Sequence, residues 1–230
     1  GHQWNTPSLV PSNSISLHPG AHILHYASTC FEGLKAFRHP DGSCHIFRMD
    51  QNIARLAQSS RLLSLPEVNE AMLRKMILDL VSRYVDDVPA PPGTLYLRPT
   101  HIGTEAAIGK AAAPSSQSML YILGSPVGDY FAGGDATLRI LIDEVGMRCA
   151  PHMGMVKCGG NYASALQMLN KARVDHKADQ VLFCPDGDVQ ETAAANFMLI
   201  EGNELVTKAL DSTFLHGVTR ASVLTLAAEM

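Results

Sequence analysis

Two stretches of the chain set apolar residues at helical spacing. Over residues 50–63, Ile53, Leu56, Ala57 and Ser60 share one face, with Asp50 as a candidate N-cap. Over residues 70–85, Met72, Met76, Ile77, Leu80, Val81 and Tyr84 repeat that spacing. Around these helices the pattern is that of strands. Residues 23–37 and 45–47 flank the turn signal Pro40-Asp41-Gly42, and residues 94–100 and 118–123 follow a break from Pro89 to Gly93. The run from Ser125 to Gly134 concentrates Pro and Gly and predicts a connector. Beyond it the pattern predicts a strand over 137–142, a helix over 163–173 and a strand over 180–184. A turn at Pro185 to Asp188 and a strand pair over 196–200 and 204–206 follow, then a last helix from Arg220. The fold class is therefore mixed α/β in two parts: a small domain over 1–124, a connector over 125–136 and a larger domain over 137–230.

Composition narrows the class of function. With 230 residues, 46% hydrophobic and 17% charged, the chain has an ordinary globular make-up and enough length for a sizeable core. A formal charge of -4 argues against nucleic acid, which needs clustered Lys and Arg. No apolar run is long enough to span a bilayer and no charged-then-apolar signal opens the chain, so no membrane partner is expected. Five cysteines without a Cys-x-x-Cys pair suit reduced thiols in cytoplasm and speak against zinc, and no metal site is expected.

The candidate chemistry begins at Lys157, in Met155-Val156-Lys157-Cys158-Gly159-Gly160-Asn161-Tyr162. The glycines allow close approach of backbone to a ligand beside one amine, where most lysines are solvated cations. Glu191 stands among small residues ahead of Asn196-Phe197, either as a buried acid in need of a partner or as a carboxylate at a turn. Gly217-Val218-Thr219 precedes a helical pattern whose first amides suit an anion, with Thr219 equally readable as an ordinary N-cap. An amine, an acid and a phosphate-capable helix start are the three groups that hold pyridoxal 5'-phosphate. Gly103 to Lys110 lacks P-loop spacing, and neither a dinucleotide fingerprint nor a nucleophile elbow is present.

These residues, with further motifs, resemble the branched-chain amino acid aminotransferases, in the pyridoxal-phosphate fold family shared with D-amino acid aminotransferase. The resemblance is carried by Leu17-His18-Pro19-Gly20, His25-Tyr26-Ala27, Phe31-Glu32-Gly33-Leu34-Lys35-Ala36-Phe37 and Leu95-Tyr96-Leu97-Arg98-Pro99-Thr100. Ser125-Pro126-Val127-Gly128, Lys157 to Tyr162 and Leu215-His216-Gly217-Val218-Thr219-Arg220 add to it. It implies a two-domain D-amino acid aminotransferase-like fold and transamination of Leu, Ile or Val with 2-oxoglutarate. Lys157 would bind the cofactor covalently and move the α-proton, Glu191 would bind the ring nitrogen and Tyr162 the ring oxygen. Arg55 and the Val218 and Thr219 amides would hold the phosphate, with Gly217 and Asn196 alongside. Tyr26, Phe31, Gly33, Tyr96, Arg98 and Tyr130 match the substrate pocket, part of which the family builds from a second subunit, so a homodimer or higher homo-oligomer is implied.

The chain departs from the family in two ways. His216 stands where many relatives have proline, and the sequence stops at Met230, within the helix that follows the phosphate motif, so the larger domain is expected to be incomplete. The rival readings are a D-amino acid aminotransferase of the same fold and a non-catalytic relative acting as a binding or assembly subunit. The Phe31 to Phe37 and Tyr96 to Pro99 motifs speak against the first.

Overall fold

The structure is a computed structural model and describes residues 3–128 and 137–230. It divides into two compact units, Gly1–Gly134 and Asp135–Met230.

The first unit opens with a short helix, α1 (His22–Tyr26), and continues with β1 (Thr29–Phe31), β2 (Leu34–Arg38) and β3 (Cys44–Ile46). Two longer helices follow, α2 (Met49–Leu62) and α3 (Glu70–Arg83), then β4 (Thr94–Gly103) and β5 (Ser118–Val127). The five strands form one antiparallel sheet centred on β4. β5 runs along one edge of β4, from Thr94↔Val127 to Gly103↔Ser118. The other edge is shared: β1 takes Thr100 to Ile102 and β2 takes Leu95 to Leu97, with Glu32 and Gly33 in the gap. Pro99, which has no N–H to give, sits opposite that gap, and its carbonyl accepts the Glu32 N–H at 2.8 Å.

Alternation along β4 gives the sheet two different faces. Leu95, Leu97 and His101 are buried on the face covered by the helices. A Cβ added at Gly124 of β5 would lie 3.6 Å from Leu80 Cδ2 of α3, and Ser60 of α2 bonds both Cys30 Sγ (3.3 Å) and His101 Nδ1 (2.9 Å). Tyr96 and Arg98 point the other way and are the only residues of β4 that are not fully buried.

Several expectations are corrected. Residues 22–26 form helix α1 within a run read as strand; five residues make less than two turns, too few for a period to show. Arg48, in the left-handed region, precedes α2, and Asp50 lies inside its first turn. α3 is capped by Asn69, whose side chain accepts the Met72 N–H, and its buried stripe is Leu73, Ile77 and Val81, with Tyr84 exposed. Strands β4 and β5 both outrun their expected ends. Ser125, Pro126 and Val127, read as connector, complete β5, because an edge strand tolerates proline.

The second unit is built on a parallel pair, β6 (Ile140–Asp143) and β7 (Gln180–Phe183), joined by the crossover helix α4 (Gly159–His176). Ala165 and Ala172 of α4 pack on Val181 and Phe183, with Ala178, Ala193, Leu141, Met168 and Leu169 around them. A hairpin, β8 (Leu199–Glu201) and β9 (Glu204–Val206), precedes the last helix, α5 (Val218–Glu229). Among the described residues no helix is long and apolar enough to cross a membrane, and the five cysteines form no disulfide.

Candidate active site

Lys157 lies at the mouth of α4, one residue before its N-cap Cys158. The two glycines and Asn161-Tyr162, ahead of the expected helix start at residue 163, form its first turn. Asn161, 5% exposed, donates its amide to the Met153 and Val156 carbonyls at 2.7 and 2.8 Å, which fixes the turn leading into Lys157. The same turn folds Tyr162 back, so Lys157 Nζ donates to its hydroxyl at 2.8 Å. Gly160 has open space where a side chain would stand.

Glu191 is 3% exposed, which decides between its two sequence readings in favour of a buried acid. Its Oε1 accepts from Arg148 Nη2 at 2.8 Å and from the Leu215 N–H at 2.9 Å, and its Oε2 from Asn196 Nδ2 at 3.1 Å. Burial pushes the Glu191 carboxyl above the ordinary carboxylate range; Arg148, the Leu215 amide, Lys157 and Asn196 pull it back in part. Lys157 and Glu191 thus act on each other electrostatically within one unit. Asn196 also donates to the Leu215 carbonyl at 2.7 Å, and its Oδ1 lies 2.0 Å from where a Cβ on Gly217 would be. Gly217 is therefore demanded by close packing. It is also the N-cap of α5, whose first turn holds no acid, and Thr219 is exposed and inside the helix.

In the first unit, Phe31, Gly33, Tyr96 and Arg98 come together on the face of the sheet away from α2 and α3. Arg98 donates to the Tyr96 hydroxyl through Nε (3.2 Å) and Nη2 (2.6 Å), and its guanidinium carbon lies 4.5 Å from the Phe31 ring centroid. A Cβ on Gly33 would meet the Tyr96 hydroxyl at 2.2 Å, so glycine there leaves room for the tyrosine. Tyr26 makes separate contacts: its hydroxyl accepts the Gly109 N–H at 3.0 Å and its ring rests on His22 at 4.8 Å. Arg55 forks onto Glu32, with Nε to Oε1 at 2.6 Å and Nη2 to Oε2 at 2.8 Å. Tyr130 lies outside the described residues.

Sequence reasoning missed the residues that hold these groups. Glu32 is 1% exposed and is further bonded by Asn52 Nδ2 at 2.8 Å. Its signal was a carboxylate set directly between Phe31 and Gly33. Arg148 is 3% exposed, and it is the only charged residue between Gly146 and Val156.

Comparison with known proteins shows the family and the fold. The model of the amino-transferase class IV family matches residues 29–230. A probable branched-chain-amino-acid aminotransferase of Streptomyces coelicolor is 39% identical over all of this chain and 64% of its own length. Branched-chain-amino-acid transaminase 1 of Bacillus subtilis is 38% identical over 97% of the chain and 64% of its own length. The chain therefore spans less than two thirds of these curated relatives. Among solved structures, a branched-chain aminotransferase of Thermoproteus uzoniensis superposes with a TM-score of 0.82 at 21% identity, covering 98% of this chain and 74% of that one. The Escherichia coli enzyme gives 0.80 at 22%, covering 97% and 73%. At that identity the likeness is one of fold.

Proposed function

This chain belongs to the class IV aminotransferases, and on that premise we propose that it transfers the amino group of Leu, Ile or Val to 2-oxoglutarate with pyridoxal 5'-phosphate as cofactor. The observation that carries the reading is the pairing of Lys157 with Tyr162 in the unit that also holds the buried acid Glu191. The residues fit the group. Among the described residues, Glu191 Oε1 already receives two donors and Oε2 one, which leaves room on Oε2 for a ring N–H. The start of α5, with Gly217 as its N-cap and no acid in its first turn, suits an anion.

When bound, the cofactor supplies a carbonyl that condenses with amines and a protonated ring that accepts electrons from the substrate α-carbon. Lys157 would hold the cofactor through its amine and, when that amine is free, would act as the base for the substrate α-proton. Tyr162 accepts from Lys157, and its own hydroxyl proton would be free to serve the ring oxygen. Glu191 would accept the ring N–H and so keep the nitrogen protonated. Val218 and Thr219 at the start of α5 would hold the phosphate, a role the family resemblance also gives to Arg55. Asn196 and Gly217 keep Glu191 and the α5 start in register.

Substrate recognition falls to the first unit. Phe31 and Tyr96 offer an aromatic wall to a branched side chain, and Arg98 offers its guanidinium to the distal carboxylate of the glutamate half-reaction. Tyr26, Gly33 and Tyr130 complete this set. Cysteines outside any disulfide suit a cytoplasmic enzyme, and the family resemblance supports a homodimer or higher homo-oligomer, which light scattering would read directly.

The test is an absorbance spectrum of the protein with pyridoxal phosphate, before and after L-leucine, beside Lys157→Ala. A cofactor band that requires Lys157 and bleaches with L-leucine is expected. A band indifferent to Lys157, or one that responds only to D-amino acids, would overturn the reading.

A further inference from the structure

Arg148 lies in the connection between β6 and α4 with its side chain 4% exposed. Desolvating a guanidinium and a carboxylate together costs several kcal/mol per ion, so such a pair is weak as a source of stability. Its arrangement is informative for another reason. Through Nη2, Arg148 reaches Glu191 Oε1 at 2.8 Å and the Gly154 carbonyl at 3.3 Å. Gly154 belongs to the segment that runs on to Lys157, and it is wedged against the chain at Thr213. A Cβ there would lie 2.1 Å from the Thr213 carbonyl carbon. The Leu215 N–H, two residues further on, is the second donor to the same Oε1. The Arg148 carbonyl is in turn held by the Ser164 hydroxyl of α4. One guanidinium therefore joins the Lys157 segment to Glu191, while the Thr213 to Leu215 segment meets both.

We infer that Arg148 is the positioning residue of Glu191: it fills Oε1, fixes the rotation of the carboxylate and turns Oε2 toward the cofactor's ring nitrogen. This rests on the assignment of Glu191 proposed above. Arg148 touches neither cofactor nor substrate in this scheme and acts only through Glu191. Asn196, on Oε2, completes the restraint from the other side.

A double-mutant cycle separates this role from a structural one. The dissociation constant of pyridoxal phosphate is measured by absorbance titration for the wild-type protein, Arg148→Met, Glu191→Gln and the double variant, with urea midpoints of the four cofactor-free forms. Loss of an outer partner of this kind weakens binding by roughly 10–100-fold. Arg148→Met and Glu191→Gln should each fall in that range, while the double variant is within about 3-fold of Glu191→Gln, since contacting residues are not additive. Arg148→Lys, which keeps the charge and loses the planar guanidinium, should recover part of the affinity and serves the same cycle if Arg148→Met does not fold. Losses that multiply, or an unchanged dissociation constant beside a lowered urea midpoint, would overturn the inference and leave Arg148 a packing residue. A wild-type protein without a Lys157-dependent band would instead bring down the functional reading, and this inference with it.

Discussion

At the scale of single residues, the first unit hides a titratable group that takes no part in the proposed chemistry. His101 is fully buried, shares its Nδ1 with the Ser60 hydroxyl and has no partner at Nε2 among the described residues. Burial pushes its pKa down to about 4. A histidine with a depressed folded pKa binds its proton better in the unfolded chain, so its stabilising effect is complete above the ordinary value near 6.5 and is lost as pH falls toward 4. The shift corresponds to about 3 kcal/mol lost across that window. Urea midpoints of the wild-type protein should drop between pH 7 and pH 4.5 by clearly more than those of His101→Gln. Parallel curves would mean that His101 is not the group responsible. The neighbouring Cys30 and Ser60 give the site polar contacts without a compensating charge. None of this was visible in the sequence, where His101 is one polar residue among several after Pro99.

At the scale of elements, burial outweighs surface charge. Leu73, Ile77 and Val81 form the buried stripe of α3, and Leu73 is fully buried, whereas the ion pair of Lys75 and Asp79 on the same helix is exposed on both sides. Leu73→Ala should lower unfolding free energy by about 2–5 kcal/mol and Asn69→Ala, which removes the cap, by about 1 kcal/mol. Asp79→Asn should move it little. A denaturant series that ranked Asp79 above Leu73 would refute this ordering. The long helices were legible because several turns repeat one apolar face. α1 was not, being too short to repeat anything. The start of α4 was obscured by Gly159 and Gly160, which carry no pattern, and by Asn161, whose side chain serves the turn before the helix.

At the scale of the molecule, the residues assigned to substrate and those assigned to the reactive end of the cofactor belong to different compact units. Phe31, Tyr96 and Arg98 are braced by one another on a sheet, and Lys157, Tyr162 and Glu191 by the connections around α4 and α5. The two sets should therefore fail separately. Arg98→Met is expected to lower kcat/KM for the glutamate half-reaction by about 100-fold, the worth of roughly 2.7 kcal/mol of transition-state binding. The dissociation constant of the cofactor should stay within about 2-fold, since Arg98 is braced by Tyr96 and Phe31, which are likewise assigned to substrate. Comparable loss of cofactor from Arg98→Met would contradict that division of labour.

The sequence by itself determined the mixed α/β class and the two amphipathic helices. It also determined the candidate residues Lys157, Tyr162, Glu191 and the Gly217 turn, because period and chemically unusual neighbours are local properties of a chain. Only the tertiary structure decided what holds them. Arg55 and Glu32 are 23 residues apart, and Arg148 meets Glu191 across a helix and a strand. A buried charge is tolerated only where folding brings its partner, and no local pattern records which partner that is. The structure likewise assigned Pro126 to an edge strand and Gly217 to a close contact, since both depend on what lies beside the backbone and not along it.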